Sequence, residues 1–285
     1  MTTGAVHDHI NSLSKSNSRR GRVVLNGMFD LAERLDAIQR NPVRATKRKK
    51  ERAKAVQALS LEQIDRVRSV IYKHDKTRRG PKSGYTLSDF FDIMIGTGLR
   101  PGELLTLQWS DINLRYKGSK VTISVTGTLQ HRDGKQKGPL VKSEYPKTDA
   151  GIRTFIAPGY VATILRRLHR NRSITPTNAV FHTRSGGFVS LNNIDRALRN
   201  IREDLDLEWM TAHTLRKTAA THITEELGEE QAARVLGHND QAVTRKYYID
   251  KTRFTGDATP ALERLGPDYR ASHLRVASEG EEVTG

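Results

Sequence analysis

The chain has no cysteine among its 285 residues. That excludes disulfides, a thiol nucleophile and cysteine-ligated zinc, and it fits a reducing cytoplasm. No apolar run reaches the ~18 residues needed to cross a bilayer, so no membrane partner is expected. The opening MTTGAVHDHINSL lacks the charged-then-apolar order of a secretory leader. Internal repeats are absent. His7 and His9 flank Asp8, but two histidines near a terminus without further ligands are ordinarily solvated, so no metal is expected. Acidic residues are in the minority, 32 against 48 Lys and Arg, for a formal charge of +16. The excess recurs on every predicted helix instead of in one tail. Such a surface calls for a polyanionic partner, of which nucleic acid is the commonest.

The order of the chain gives four parts. Residues 1–44 form a helical segment, with 1–16 polar and frayed at the start. Between Ser18 and Arg40, Val24, Met28, Leu31, Leu35 and Ile38 recur at helical spacing, and Asn41-Pro42 ends the run. One helix cannot bury that stripe alone. It must pack on the following domain, on another subunit or on residues outside this sequence. Residues 45–58 form a basic linker, whose TKRKKERAK holds six cations and one acid and suits a phosphate backbone. Residues 59–255 form the main globular unit, and 256–285 a tail with a short docking helix at Ala261 to Leu265.

Within the globular unit, Ser60 and Gln63 match a capping box, and Ile64, Val67, Val70 and Ile71 supply an apolar face. Arg78 to Gly84 is a basic loop. Leu87, Phe90, Phe91 and Met94 mark a buried helix broken at Gly96-Thr97-Gly98. Val121, Ile123 and Val125 form a half-buried strand, and Ile152, Thr154 and Ile156 continue as another. His131 to Gly138 is a polar turn, and Lys147 falls at a hairpin tip. Helices are expected at Tyr160 to His169 and, capped by Ser190, at Leu191 to Ile201. Both show arginines (Arg166, Arg167, Arg170, then Arg196, Arg199, Arg202) on phosphate-contacting or simply solvated faces. The fold class is therefore mainly α with a small antiparallel β-sheet.

Residues 212–248 carry the densest chemistry. His213 and Arg216 lie three apart, on one face of a helix whose apolar side is Leu215, Ala219, Ile223 and Leu227. Gly228 suits the left-handed position past that helix. A second helix runs from Glu229 to Leu236, and Gly237 stops it at His238. Asp240 caps a third helix reaching Tyr247 and Tyr248. An imidazole, a guanidinium, a second imidazole and a phenol suit a phosphate-like reacting centre. Arg100 follows a tight glycine turn, with Pro101 at the first helical position and Glu103 placed to orient it. Taken singly, Arg100 could be a surface Arg–Glu pair and Lys147 an ordinary exposed lysine.

Taken together they are not ordinary. Arg100 after TGLRPGEL, Lys147 in YPKT, His213-x-x-Arg216, Leu236-Gly237-His238 and a tyrosine about ten residues on resemble the tyrosine recombinase (phage integrase) family, over about Leu59 to Lys251. The resemblance implies that residues 59–255 are a catalytic domain and that the helical segment before it is the last part of a core-binding domain. That domain is normally larger, so the chain is expected to be truncated at its start or an unusually short member.

The resemblance also implies site-specific DNA recombination through a covalent 3′-phosphotyrosyl intermediate, for integration or excision of a mobile element, with no metal or nucleotide cofactor. It makes Arg100 and Arg216 the neutralisers of the non-bridging oxygens, His238 a further donor, His213 the general base and Lys147 the acid for the leaving 5′ oxygen. The nucleophile is Tyr248, with Tyr247 the alternate. The expected partners are double-stranded DNA, three further copies in a synaptic tetramer formed from free monomers, and an accessory directionality factor. The location is cytoplasmic, at the nucleoid. A type IB-like topoisomerase, a resolvase and a catalytically inert DNA-binding descendant of the fold are the competing readings.

Overall fold

A computed structural model describes residues 2–46, 57–77, 84–132, 138–143, 152–237, 253–254 and 257–267. The chain divides into two compact units, Met1–Ala55 and Val56–Gly285.

The first unit corrects the expectation of a frayed start. Its opening residues are not frayed: α1 (Thr3–Ser12) starts where the Thr2 hydroxyl accepts from the Ala5 N–H at 3.3 Å. Val6 and Ile10, four apart on α1, are buried with Val43, and Leu25 and Phe29 of α2 (Lys15–Arg34) pack on them. The stripe of Val24, Met28, Leu31 and Leu35 instead faces outward, at 50–70% exposure. Polar anchors decide which face turns in. Arg22 donates to the Val43 and Thr46 carbonyls at 3.2 and 3.0 Å, and the buried Asn41 donates to Asp30 at 2.7 Å and to the Asn26 carbonyl at 3.2 Å. These bonds fold residues 41–46 back onto the face holding Arg22, Leu25, Asn26 and Phe29. The helix also ends at Arg34, before the Asn-Pro signal, and Asp36 then takes a left-handed φ of 54°.

The second unit opens as its capping signals dictate. The Ser60 N–H donates to Gln63 at 2.9 Å and the Gln63 N–H to the Ser60 hydroxyl at 3.2 Å, starting α3 (Leu61–Thr77). A second reciprocal pair, Thr86 and Asp89, starts α4 (Leu87–Thr97). Nearly every residue of α4 is buried, which makes it the central helix of the unit. The chain continues through α5 (Pro101–Leu105), β1 (Ile112–Tyr116), β2 (Lys120–Val125), β3 (Thr128–His131), β4 (Leu140–Ser143) and β5 (Arg153–Ile156). Then come α6 (Gly159–Arg170), α7 (Leu191–Glu203), α8 (Ala212–Leu227), α9 (Glu229–Leu236), β6 (Arg253–Phe254) and α10 (Thr259–Glu263).

The unit is mainly α with a small sheet, as its sequence predicts. The sheet has the order β1-β2-β5-β6, antiparallel except where β6 runs parallel to β5. A separate antiparallel pair, β3 with β4, lies between β2 and β5 in chain order. The inward face of β5 carries Arg153 and Phe155, one residue out of step with Ile152, Thr154 and Ile156. That single step puts a guanidinium in the interior.

One core joins Phe90, Phe91, Ile93, Met94 and Ile95 of α4 to Val161 and Leu165 of α6 and to Leu215, Ala219 and Ile223 of α8. Each of these side chains larger than alanine contributes about 1.5–3 kcal/mol by leaving water. Leu227, expected on the same face, is partly exposed at the end of α8. The docking helix forms slightly earlier than expected, and Ala258, Ala261, Leu262 and Leu265 are buried around it. Arg68 ties this segment down by donating to the Leu265 carbonyl at 2.6 Å while paired with Asp92 at 2.9 Å.

Several arginines expected to face phosphate are committed to the fold. Arg166 donates to the Ser119 carbonyl, Arg167 pairs with the buried Asp89, and Arg202 donates to the Met210 carbonyl at 3.0 Å. Arg170, Arg196 and Arg199 remain exposed. Most of the basic linker and of the Arg78–Gly84 loop lie outside the described residues.

Candidate active site

The site is built where the turn after α4 meets the start of α8 and the end of α9. Gly98 closes α4 with a left-handed φ of 60°, its N–H donating to the Met94 carbonyl at 2.9 Å. Glycine is needed twice over here. A side chain would strain the left-handed backbone, and its Cβ would lie 2.7 Å from Leu236. The turn delivers Arg100 to the start of α5. There the Arg100 N–H donates to the Glu103 carboxylate at 2.9 Å, and the Arg100 side chain pairs with the same carboxylate at 2.8 Å. The expectation that Glu103 orients Arg100 holds.

Arg216 lies in the second turn of α8 and is largely buried. Its Nη1 donates to the Gly98 carbonyl at 2.8 Å and its Nη2 to the Leu236 carbonyl at 2.9 Å. His213, one turn earlier, is exposed. Thr211 ends the preceding loop and reciprocates with Thr214 through the Thr211 N–H at 3.1 Å. Both site residues therefore sit in the first turns of α8, where the helix dipole and N–H groups favour an anion.

Sequence reasoning missed a third arginine. Arg153 on β5 is 1% exposed. Its Nη2 meets the Glu103 carboxylate at 2.9 Å, and its Nε donates to the Val235 carbonyl at 2.9 Å. Arg100 in turn donates to the Gly237 carbonyl at 3.2 Å. Thus three successive carbonyls at the end of α9, those of Val235, Leu236 and Gly237, accept from Arg153, Arg216 and Arg100 respectively. A helix C-terminus leaves such carbonyls without partners and carries partial negative charge, so cations belong there. The only sequence signal for Arg153 is an arginine in a short strand, between Ile152 and Thr154.

Two guanidinium groups, those of Arg100 and Arg153, share the Glu103 carboxylate. Burial pushes the Glu103 carboxyl up, but the charge of Arg153 and its bonds with those of Arg100 outweigh this and hold it below its ordinary value. Arg216 forms no ion pair among the described residues. Burial first, and then the nearby Arg100 charge, push it down to about 10. It remains cationic at neutral pH, in a cluster with an excess of positive charge that a bound anion would relieve.

The structure thus brings Arg100 and Arg216 together, with His213 one turn before Arg216. Lys147, His238, Tyr247 and Tyr248 lie outside the described residues. So does the expected third helix. Gly237, with a left-handed φ of 65°, is the last described residue before His238. No group of three or more His, Asp or Glu among the described residues is placed to hold a metal ion. No described helix is long and apolar enough to cross a membrane.

This arrangement and the fold around it define a known class. The model of the phage integrase family matches residues 59–253, and the chain belongs to that family. It is 28% identical over 180 residues to a XerC-like tyrosine recombinase from Caldanaerobacter subterraneus subsp. tengcongensis, covering 58% of this chain and 46% of that protein. It is 26% identical over 227 residues to an integrase of Staphylococcus phage L54a, covering 76% of this chain and 62% of that one. The chain thus spans about half to three-fifths of the length of these curated relatives. Among solved structures, the Tn1549 transposon integrase in complex with circular intermediate DNA matches with a TM-score of 0.65 at 16% identity, over 96% of this chain and 85% of that one. A lambda integrase tetramer bound to a Holliday junction matches with a TM-score of 0.55 at 17% identity, over 88% and 68%. At those identities the likeness is one of fold.

Proposed function

We propose that this chain is a site-specific DNA recombinase that cuts and rejoins strands through a 3′-phosphotyrosyl intermediate, for integration or excision of a mobile element. The observation that carries the reading is the pairing of Arg100 and Arg216 on the end of α9, in a cluster with more guanidinium than carboxylate. A phosphodiester repels nucleophiles, and its pentacoordinate transition state places more charge on the non-bridging oxygens. Planar, fixed donors are suited to that charge, and losing one typically slows such a step by ~10²–10³-fold.

In this mechanism the Tyr248 oxygen attacks phosphorus, with Tyr247 as the alternate nucleophile. A phenol with an ordinary pKa of ~10 must lose its proton, and His213 takes it. The bond from phosphorus to the 5′ oxygen breaks, and Lys147 protonates the leaving oxygen. His238 donates to a non-bridging oxygen. The reverse attack by a 5′ hydroxyl rejoins the strand and frees the tyrosine, so no net bond energy is lost and no cofactor is required. The partner is double-stranded DNA. Monomers assemble as a tetramer on two synapsed sites, a directionality factor sets the outcome, and the work is done at the nucleoid in the cytoplasm. Phage and transposon integrases among the relatives support the mobile-element role.

The test is a suicide duplex, nicked beside the scissile phosphate and built from DNA flanking the gene. The wild-type protein forms a covalent adduct, Tyr247→Phe retains it and Tyr248→Phe loses it. Adduct persisting in Tyr248→Phe overturns the choice of nucleophile. DNA binding without any wild-type adduct overturns the recombinase reading in favour of an inert DNA-binding protein.

A further inference from the structure

We propose that Arg153 is a positioning residue for the phosphate site, acting through Glu103 on Arg100 and directly on the end of α9. The inference rests on the recombinase reading above. Arg153 reaches neither solvent nor substrate at 1% exposure, so it is not itself a catalytic group. Its guanidinium instead spans two parts of the site. Nη1 and Nη2 meet the two oxygens of Glu103 at 3.3 and 2.9 Å, and Nε meets the Val235 carbonyl at 2.9 Å. Glu103 uses the same two oxygens to hold Arg100, one on its side chain at 2.8 Å and one on its backbone N–H at 2.9 Å.

The carboxylate is therefore shared between a buried arginine and a half-exposed one. Without Arg153, Glu103 would be free to rotate toward Arg100 alone, and the Arg100 fork would follow it. The end of α9 would at the same time lose the donor at Val235, two residues before Gly237. Arg153 thus sets both the angle at which Arg100 meets a phosphate and the point from which the chain leaves α9 toward His238. A lysine cannot replace it. Its single ammonium lacks the planar fork that reaches a carboxylate and a carbonyl together.

The experiment is single-turnover cleavage of the suicide duplex by Arg153→Lys, beside its DNA affinity and its melting temperature. The expected result is a folded protein with wild-type affinity and cleavage slowed by about 10²-fold, the scale of a small misplacement of reacting groups. The same rates are then measured with the scissile phosphate replaced by a neutral methylphosphonate. That substrate gives Arg100 less charge to meet, so the defect shrinks, whereas a general loss of structure persists on both substrates. Glu103→Asp, which keeps both charges but shortens the link, is the second probe and decides the matter if Arg153→Lys does not fold. It too is slowed, with the same relief.

Wild-type cleavage rates in the folded variant overturn the inference, as does an equal defect on both substrates. A wild-type protein that forms no adduct brings down the recombinase reading and this inference with it. Wild-type adduct with undisturbed variants sinks this inference alone.

Discussion

The Arg216 guanidinium donates at 2.8 Å to the carbonyl of Gly98, a residue 118 positions earlier in the chain. The bond ties the helix that carries His213 to the turn that presents Arg100. Gly98 is therefore both a hinge of the backbone and an acceptor in the site. Its Cβ-free left-handed conformation also lets Leu236 of α9 pack against it.

Gly98→Ala is expected to lower stability by about 2–4 kcal/mol, the left-handed strain and the collision with Leu236 adding together. The control is Gly118→Ala, at a φ of 84° with nothing near the added carbon. It carries only the backbone cost of roughly 1 kcal/mol. Urea unfolding of the two variants checks this, and equal losses would show that the contact with α9 is unimportant.

Glu103 faces two arginines from a buried position. Removing its charge with Glu103→Gln leaves them without their shared partner and should cost about 3–5 kcal/mol. The loss is pH-dependent in a predictable sense. The folded carboxyl titrates below its ordinary value of 4.5, so its stabilisation is complete above that pH and disappears as pH falls through the lower folded value. Unfolding measured from pH 7 to pH 3 should show a steeper acid loss in the wild type than in the variant. Parallel curves would mean that Glu103 is not the group held down by Arg153 and Arg100.

How much of this site is legible in the sequence depends on separation along the chain. The Ser60–Gln63 cap and the Glu103–Arg100 contact span three residues, and spacing alone reveals them. The ends of α8 and α9 are marked by Gly228 and Gly237. Arg153 meets partners 50 and 82 residues away, and no local pattern announces them. The inward face of β5 is hidden for a related reason, since a strand of four residues reads equally well in either register. The motifs around Lys147, His238, Tyr247 and Tyr248, on which the resemblance rests, are legible in the sequence, but those residues fall outside the described ones.

If the chain binds DNA as proposed, the sorting of the arginines on α6 and α7 sets the salt dependence of that binding. Each phosphate neutralised adds about 0.9 to the slope of log affinity against log salt. Arg170→Gln, Arg196→Gln and Arg199→Gln, at exposed positions, are expected to reduce the slope by up to about 1 each if they meet phosphate. Arg166→Gln, Arg167→Gln and Arg202→Gln should leave it unchanged, because those side chains are occupied by Ser119, Asp89 and Met210. Binding titrations over a range of salt separate the two groups. A slope lowered by the second group would mean that those contacts open on DNA.

The first unit offers a test of which side of α2 is inside. Spacing alone favours Val24, Met28, Leu31 and Leu35, but the buried contacts run through Val6, Ile10, Val43, Leu25 and Phe29. Ile10→Ala removes packed methyl groups and should destabilise the unit by about 2–3 kcal/mol. Met28→Lys and Leu31→Lys replace exposed side chains and should stay within about 0.5 kcal/mol of the wild type. Hydrogen exchange of the α2 amides in the free protein reads the unit directly. Faster exchange in Ile10→Ala, with wild-type protection in the two lysine variants, is the expected pattern. Exchange accelerated as much by Met28→Lys as by Ile10→Ala would mean that the apolar stripe is covered in solution.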